Sequence, residues 1–306
     1  MMKTIQIGNI SLPSSRLIYG CMRINGDNSA TAIQQGKNAI RSAIDAGYNH
    51  FDHADIYGGG ECERIFGQVL KESPELREQL IVTSKAGIRF ANTPNIGDVG
   101  RYDFSKDYLI NQVEGSLERL NVEALDLFLL HRPDYLFNPE EVAETFELLK
   151  RQGKVKSFGV SNFSPSQVSL LQAATTEKLM VNQVEINIHN ISSFTDGTLD
   201  QCLQNNITPM AWCPIATVVY EAWGNTFSDE DHTRIHQEFE RQGQIYDCEK
   251  WIVAFAWLLK HPANICPIVG STNPQRILAA KQALELNYSR EDWYRLLEAR
   301  NGQPVP

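Results

Sequence analysis

Short apolar runs alternate with longer amphipathic stretches along almost the whole chain. Eight of the runs have the length and the flanking polar residues that are typical of buried strands. They span residues 17–20, 50–54, 80–85, 125–131, 157–161, 181–186, 209–213 and 266–270. Between them, apolar residues recur with helical spacing, as in 30–46, 61–71, 107–120 and 139–152, and Pro165 opens another helix. This alternation, without a break in composition, predicts an α/β fold, a (β/α)8 TIM barrel formed by residues 1–306 as a single domain.

Three segments lie outside the repeat. Residues 4–7 and 10–12 flank a Gly8-Asn9 pair, which predicts an N-terminal β-hairpin. Residues 289–306 carry Trp293, Leu296 and Leu297 on a predicted amphipathic segment, which indicates an additional C-terminal helix. Residues 218–247 are polar, and we expect them to form a loop that covers the mouth of the barrel.

Composition and charge narrow the class of protein. The chain has 306 residues, 42% apolar composition and a net charge of −9, which argues against a broad nucleic-acid surface but leaves a local phosphate pocket open. Its six cysteines lie far apart and form no Cys-x-x-Cys pair, so neither a metal site nor a disulfide framework is predicted. The sequence indicates no signal peptide and no segment with the ~20 apolar residues of a membrane span. We therefore expect a reduced, cytoplasmic protein without a membrane or nucleic-acid partner.

Four polar residues follow strand-like runs at their C-terminal side, which is the active-site face of a parallel α/β barrel. They are Asp52, Tyr57, Lys85 and His131. Each alone has an ordinary interpretation as a turn, core or solvated residue. Together, a Lys85 ammonium near Tyr57 is expected to lower the pKa of the phenol, while Asp52 holds that ammonium in place. With His131 donating to a carbonyl oxygen, the set suits the reduction of a carbonyl by hydride, in which the oxygen gains negative charge and then a proton.

The surrounding motifs resemble those of the aldo-keto reductase superfamily. They are Gly47-Tyr48-x-x-Phe51-Asp52-x-Ala54-x-x-Tyr57-Gly58, Thr83-Ser84-Lys85, Leu125-Asp126-Leu127 before His131, Gly159-Val160-Ser161-Asn162-Phe163 and Asn182-Gln183-Val184-Glu185. Within the superfamily the chain resembles bacterial oxidoreductases of the branch that also contains potassium-channel β subunits. The resemblance implies that Tyr57 is the proton donor, that Lys85 and Asp52 tune it, and that His131 orients the carbonyl.

The resemblance also implies a nicotinamide cofactor, because no side chain can donate hydride. The chain has no Gly-x-Gly-x-x-Gly after its first strand, and the superfamily instead binds the cofactor across the barrel mouth. Ser161, Asn162 and Gln183 match contacts to the nicotinamide amide, and Asp52 lies beside them. Trp212 matches an aromatic ring against the nicotinamide, with a buried core tryptophan as the alternative. Met22 belongs to a segment, Gly20-Cys21-Met22, that passes beside the cofactor.

Residues 267–276 match the segment that binds the adenosine phosphate. Its expected contacts are Gly270, Ser271, Thr272 and Arg276. A guanidinium fork at Arg276 can bind a 2′-phosphate, which favours NADP(H) over NAD; a solvated charge is the alternative. The chain departs from many relatives at two places, with Gly270 instead of lysine and Ala279-Ala280 instead of a Glu-Asn pair.

The substrate is less closely defined than the chemistry, because loops over the mouth determine specificity in this fold. The candidate pocket is mostly apolar and consists of Met22, Ile24, Ile88, Phe90, Arg132, Tyr220 and Trp223. For Arg132 we expect a surface salt bridge rather than an anion contact. The leading interpretation is an NADP(H)-dependent reductase of a small-molecule aldehyde or ketone, monomeric by default. A nicotinamide-binding regulatory or redox-sensing subunit, and an isomerase or lyase on an ordinary barrel, are the alternatives.

Overall fold

The computed structural model of the protein describes residues 2–306. Its strands are Thr4–Ile5 (β1), Ser14–Ser15 (β2), Ile18–Gly20 (β3), His50–Asp52 (β4), Ile81–Ala86 (β5), Ile88–Arg89 (β6), Arg101–Tyr102 (β7), Leu127–Leu130 (β8), Phe158–Ser161 (β9), Leu179–Glu185 (β10), Thr208–Trp212 (β11) and Cys266–Val269 (β12). Eight of them close a parallel barrel in the order β3-β4-β5-β8-β9-β10-β11-β12. The predicted barrel is confirmed, and the strand bounds differ from the predicted ones by two residues or fewer.

The helices are Ala30–Asp45 (α1), Glu61–Glu72 (α2), Lys106–Leu120 (α3), Pro139–Arg151 (α4), Pro165–Ala174 (α5), Thr198–Asn205 (α6), Asp229–Ile245 (α7), Lys250–Leu259 (α8), Pro274–Ala279 (α9) and Arg290–Asn301 (α10). At least one helix lies between each barrel strand and the next barrel strand along the chain. The helices cover the outside of the barrel with their apolar faces, as a parallel sheet requires. None of the helices within residues 2–306 is long and apolar enough to cross a membrane.

The N-terminal hairpin is present, but its second strand is not the predicted one. Strand β1 pairs antiparallel with β2, whereas residues 10–12 form no strand. The Gly8-Asn9 turn does form, with the N–H of Ile10 donating to the carbonyl of Ile7 over 3.1 Å. Ile7 and Ile10 are buried in the same apolar cluster as residues of the barrel interior. The apolar side chains that suggested a second strand therefore pack into the barrel interior instead.

The prediction of a loop over residues 218–247 is wrong for its second half. Helix α7 occupies it and begins with a capping box, in which Ser228 and Asp231 each accept a hydrogen bond from the backbone N–H of the other. Only a narrow face of α7 is buried, mainly Ile235 and Phe239. The C-terminal helix α10, by contrast, agrees with the prediction. Its Trp293 stacks on Trp257 of α8 with ring centroids 5.2 Å apart.

Candidate active site

The four predicted reaction residues lie together at the C-terminal ends of neighbouring barrel strands. Asp52 ends β4, Lys85 lies in β5, and His131 follows β8. Tyr57 begins the short turn Tyr57–Gly60, in which Gly58 and Gly59 adopt φ values of 58° and 64° that favour glycine. The ring of Tyr57 stands edge-on to His131 with centroids 5.9 Å apart, and Lys85 Nζ lies 5.1 Å from the Tyr57 centroid.

Lys85 and Asp52 form a fully buried ion pair at the centre of this group. Lys85 Nζ donates to both carboxylate oxygens of Asp52, over 2.8 and 2.7 Å, and to the carbonyl of His53 over 2.7 Å. Burial alone lowers the pKa of Lys85, but Asp52 and Tyr57 together raise it above its ordinary value. The ammonium is therefore held charged and in one orientation beneath the tyrosine.

Tyr57 differs from expectation in its net pKa. Burial raises the pKa of Tyr57 to about 12, and the charge of Lys85 acts in the opposite, predicted direction without overcoming it. The tyrosine is consequently protonated near neutral pH. A protonated phenol next to an ammonium can give up its proton when a strong base forms beside it, because the ammonium then stabilises the phenolate.

His131 is a neutral imidazole in this environment. It is 9% exposed, and burial together with the charges of Lys85 and Arg132 holds its pKa well below the ordinary range. Its Nδ1 has no hydrogen-bond partner among the described residues. A neutral histidine at this position can donate one hydrogen bond without adding a positive charge.

Ser161, Asn162, Gln183 and Trp212 form a connected network beside the ion pair. Asn162, at φ 61°, donates to the carbonyl of His131 over 3.2 Å and accepts from Trp212 Nε1 over 3.0 Å. Ser161 Oγ donates to the carbonyl of Gln183 over 2.8 Å. Gln183 Nε2 donates to Asp52 over 2.8 Å, so this side chain is tied to the ion pair. Trp212 is partly buried and packs against the apolar cluster of the barrel interior, so part of its indole is exposed at the mouth.

The outer predicted residues lie beyond β12 and β3, which are adjacent in the barrel. Gly270 and Ser271 are partly exposed, and Thr272 and Arg276 are exposed. The guanidinium of Arg276 makes no ion pair or hydrogen bond with any part of the chain that is described. Met22 is 48% exposed on the same side. All of these groups are accessible to a ligand at the mouth.

Two residues at this face were not predicted. The guanidinium carbon of Arg23 lies 5.6 Å from the ring centroid of Tyr220. Arg23 also lies beside Gly270, because a side chain at position 270 would place its Cβ 3.5 Å from Arg23 Nη1. Thr217 has φ 72°, unusual for a β-branched residue, and its buried hydroxyl has no partner in the described chain. Arg23 could have been found from its place directly after the Gly20-Cys21-Met22 segment. The conformation of Thr217 has no signal in the sequence.

One predicted pocket residue lies elsewhere. Ile24 is 1% exposed and belongs to the core, whereas Phe90 and Trp223 are exposed at 56% and 75%. Within residues 2–306, no group of three or more His, Cys, Asp or Glu side chains is arranged to hold a metal ion.

Comparisons with known proteins identify the family of this chain. The model of the aldo/keto reductase family matches residues 16–301. The chain is 39% identical to an uncharacterized oxidoreductase, YcsN, of Bacillus subtilis (strain 168), over the full length of both chains (100% of each). It is 35% identical to a 6-dehydroglucose reductase of Novosphingobium aromaticivorans, covering 98% of this chain and 96% of the relative. A voltage-gated potassium channel β subunit of Schizosaccharomyces pombe, described as putative, is 24% identical over 84% of this chain and 81% of its own.

Solved structures share the architecture. A thermostable aldo-keto reductase, Tm1743, superposes with a TM-score of 0.82 at 25% identity, over 97% of this chain and all (100%) of that one. An aldo-keto reductase from Klebsiella pneumoniae in complex with NADPH has a TM-score of 0.79 at 23% identity, over 100% and 96% of the two chains. The chain therefore belongs to the aldo/keto reductase family, and its relatives include bacterial oxidoreductases and a potassium-channel β subunit.

Proposed function

We propose that the protein is an NADP(H)-dependent reductase that converts an aldehyde or ketone to an alcohol, with Tyr57 as the general acid. The observation that carries the proposal is the buried Lys85–Asp52 pair beneath a protonated Tyr57 and beside a neutral His131. A proton donor, Tyr57, and a neutral hydrogen-bond donor, His131, thus lie side by side, where the carbonyl oxygen of a substrate can accept a hydrogen bond from each.

The chemistry of the four residues follows from their charges. His131 donates a hydrogen bond to the substrate oxygen and polarises the carbonyl. As that oxygen gains electron density, Tyr57 transfers its phenolic proton to it, and the O–H bond of the tyrosine breaks as that of the alcohol forms. The Lys85 ammonium stabilises the resulting phenolate, and Asp52 keeps Lys85 oriented. Solvent then returns a proton to Tyr57.

The inner network fits a nicotinamide cofactor. When bound, the cofactor supplies the hydride that no side chain can donate. Asn162 Nδ2 donates to Ser161 Oγ, and Gln183 Nε2 donates to Asp52, so these three side chains are held in fixed positions beside the ion pair. Trp212 offers a partly exposed indole face. Amide donors and acceptors beside an aromatic ring suit a planar carboxamide-bearing ring.

The outer residues fit the phosphates of the same cofactor. Ser271 and Thr272 provide hydroxyl groups, and Arg276 provides an unpaired guanidinium for a 2′-phosphate. Arg23 reaches the position beside Gly270, so it supplies positive charge close to where many relatives carry a lysine. The unpartnered hydroxyl of Thr217 gives a further donor on the same loop as Tyr220. The NADPH complex of the aldo-keto reductase from Klebsiella pneumoniae supports an NADP(H) site in this fold.

Turnover of Tyr57→Phe tests the acid assignment. We expect the variant to bind NADPH with unchanged affinity but to lose about 100- to 10,000-fold in kcat across a panel of aldehydes, because only the proton donor is removed. Tyr294→Phe is the matched control, since Tyr294 is 37% exposed and lies on helix α10 rather than on a loop that follows a barrel strand. Near-normal turnover of Tyr57→Phe would contradict the assignment. NADPH binding by the wild type without turnover of any aldehyde would favour the regulatory alternative.

Cofactor titration tests the phosphate site. We expect Arg276→Ala to weaken NADPH by about 10- to 100-fold, the effect of losing a charged hydrogen-bond fork, while the affinity for NADH changes by less than about threefold. Tryptophan fluorescence gives the readout, and NADH serves as the internal control. Equal losses for both cofactors would remove the 2′-phosphate role from Arg276.

A further inference from the structure

Arg132 is a cation at the barrel mouth without an anionic partner. It directly follows His131, and its guanidinium carbon lies 5.8 Å from the ring centroid of Trp212. The expected surface salt bridge is absent: within the described chain, Arg132 forms no ion pair and its side chain makes no hydrogen bond. The prediction for this residue is therefore wrong, and its five N–H donors are left for solvent or a ligand.

The nearby carboxylates are engaged elsewhere. Asp134 accepts hydrogen bonds from the backbone N–H groups of Phe104 and Leu136, over 3.1 and 2.9 Å. Glu185 accepts from Asn187 over 3.0 Å and from Asn190 over 3.3 Å. Neither carboxylate forms an ion pair with Arg132 within residues 2–306.

The guanidinium is coupled to the reaction centre. Its charge contributes to the lowered pKa of His131, after burial and Lys85. Trp212, on which it lies, donates to Asn162, and Asn162 donates to the carbonyl of His131. Arg132 and His131 therefore lie next to each other on one side of the mouth.

Apolar surface adjoins this charge. Trp223 is 75% exposed and meets Trp212 edge-on, with ring centroids 6.3 Å apart. Two indole rings next to a free guanidinium present apolar surface for a carbon skeleton and strong donors for its oxygen atoms. A purely alkyl substrate would use the indoles and leave the guanidinium unsatisfied.

We propose that Arg132 is a specificity-determining residue that selects carbonyl substrates bearing a second oxygen acceptor, a carboxylate or a hydroxyl group, over alkyl aldehydes. The inference rests on the proposed carbonyl-reductase function and names the substrate class of the same site. Arg132 binds the acceptor oxygen through charge-assisted hydrogen bonds, while His131 and Tyr57 hold the carbonyl oxygen.

Substrate ratios test this inference. The probes are succinic semialdehyde, in which a carboxylate is the acceptor, glyceraldehyde, in which hydroxyl groups are, and 4-methylpentanal, in which an isopropyl group replaces the carboxylate. For Arg132→Met we expect the ratio of kcat/KM for the oxygen-bearing aldehyde to that for 4-methylpentanal to fall about 10- to 100-fold, the effect of losing a charged hydrogen-bond donor. Arg132→Lys, which keeps the charge but not the fork, should recover part of the ratio for succinic semialdehyde.

The outcomes separate the possibilities. If Arg132→Met lowers the kcat/KM ratio only for succinic semialdehyde, the acceptor that Arg132 binds is a carboxylate. If the ratio for glyceraldehyde falls as well, the substrate class also includes hydroxyl groups. Arg151→Met, at an exposed site at the end of α4, is the control and should leave both ratios unchanged. Equal losses on all three aldehydes, or no loss, in a folded Arg132→Met protein would overturn the inference. A wild-type protein that reduces none of the three would overturn the carbonyl-reductase proposal itself, and this inference with it.

Discussion

Asp55 is a buried carboxyl group two residues before Tyr57, and neither of its oxygens has a hydrogen-bond partner among residues 2–306. Burial, reinforced by the neighbouring charge of Glu63, raises its pKa to about 8. Glu63 is itself engaged by Ser84 over 2.6 Å and Arg119 over 2.7 Å, so it cannot share a proton freely. Asp55 is therefore protonated at neutral pH. Its ionisation at alkaline pH lowers the stability of the folded state.

This residue gives a pH-dependent stability. Because the folded pKa of about 8 lies above the unfolded value of about 3.9, the stability that Asp55 contributes is present below pH ~4 and is lost as the pH rises through 8. We expect Asp55→Asn to raise the free energy of unfolding by about 1–3 kcal/mol at pH 9 and by less at pH 5. Urea unfolding at both pH values measures the difference. Asp45→Asn, at an exposed position, is the control, and a gain for Asp55→Asn that does not grow with pH would refute the argument.

Other residues show how far the sequence could predict the site. The position of Lys85 between Asp52 and Tyr57 was predictable, because all three lie at or just beyond the C-terminal ends of barrel strands, which meet at one face. The net pKa of Tyr57 was not, because it depends on how far the folded chain removes the phenol from water. The absence of an ion-pair partner for Arg132 was also unpredictable, since it depends on which groups the carboxylates of neighbouring loops contact in the folded chain.

At the scale of elements, the barrel strands were predictable because their apolar runs are short and are separated by helical patterns of consistent length. Helix α7 was missed because its buried face is only a narrow stripe, with polar residues on the remaining surface. Its capping box, Ser228 to Asp231, uses aspartate rather than the glutamate or glutamine of the usual signature, which weakened the start signal. The hairpin register was misjudged because Ile7 and Ile10 pack into the barrel interior, a tertiary contact that local alternation cannot distinguish from a strand.

The loop that connects β11 to α7 has a backbone conformation and long-range contacts that the sequence pattern does not predict. Thr217 adopts φ 72° within it, and its N–H donates to the carbonyl of Tyr220 over 2.7 Å. Tyr220 in turn faces Arg23, which belongs to the segment after β3. This loop therefore joins two neighbouring parts of the barrel mouth, and its strained backbone at Thr217 is maintained by the surrounding contacts.

At the scale of the whole molecule, buried histidines and a buried carboxyl group change the stability in opposite directions as the pH changes. His50 and His53 are fully buried and have pKa values lowered by burial to about 4 and about 3. His50 bonds to Ser14 and Thr83, whereas neither ring nitrogen of His53 has a partner in the described chain. Each histidine lowers stability as the pH falls below the unfolded value of about 6.5, whereas Asp55 lowers it as the pH rises from about 4 to 8. Between about pH 4.5 and 6.5 the slopes from His53 and Asp55 therefore offset each other.

Replacing His53 exposes this compensation. The His53 ring packs edge-on against Phe66 with centroids 4.6 Å apart, so leucine fits the apolar surroundings without a titrating group. Because the folded pKa of about 3 lies below the unfolded value, His53 stays neutral in the native state while the unfolded chain takes up a proton. His53→Leu should then reduce the slope of unfolding free energy against pH by about 1.4 kcal/mol per pH unit between pH ~4 and 6, and leave the slope above pH ~7.5 unchanged. Phe66→Leu disturbs the same contact without removing a proton site, and it should lower the curve by a constant amount at every pH. Parallel curves for wild type and His53→Leu throughout the acid range would show that His53 is not the neutral buried group that its surroundings require.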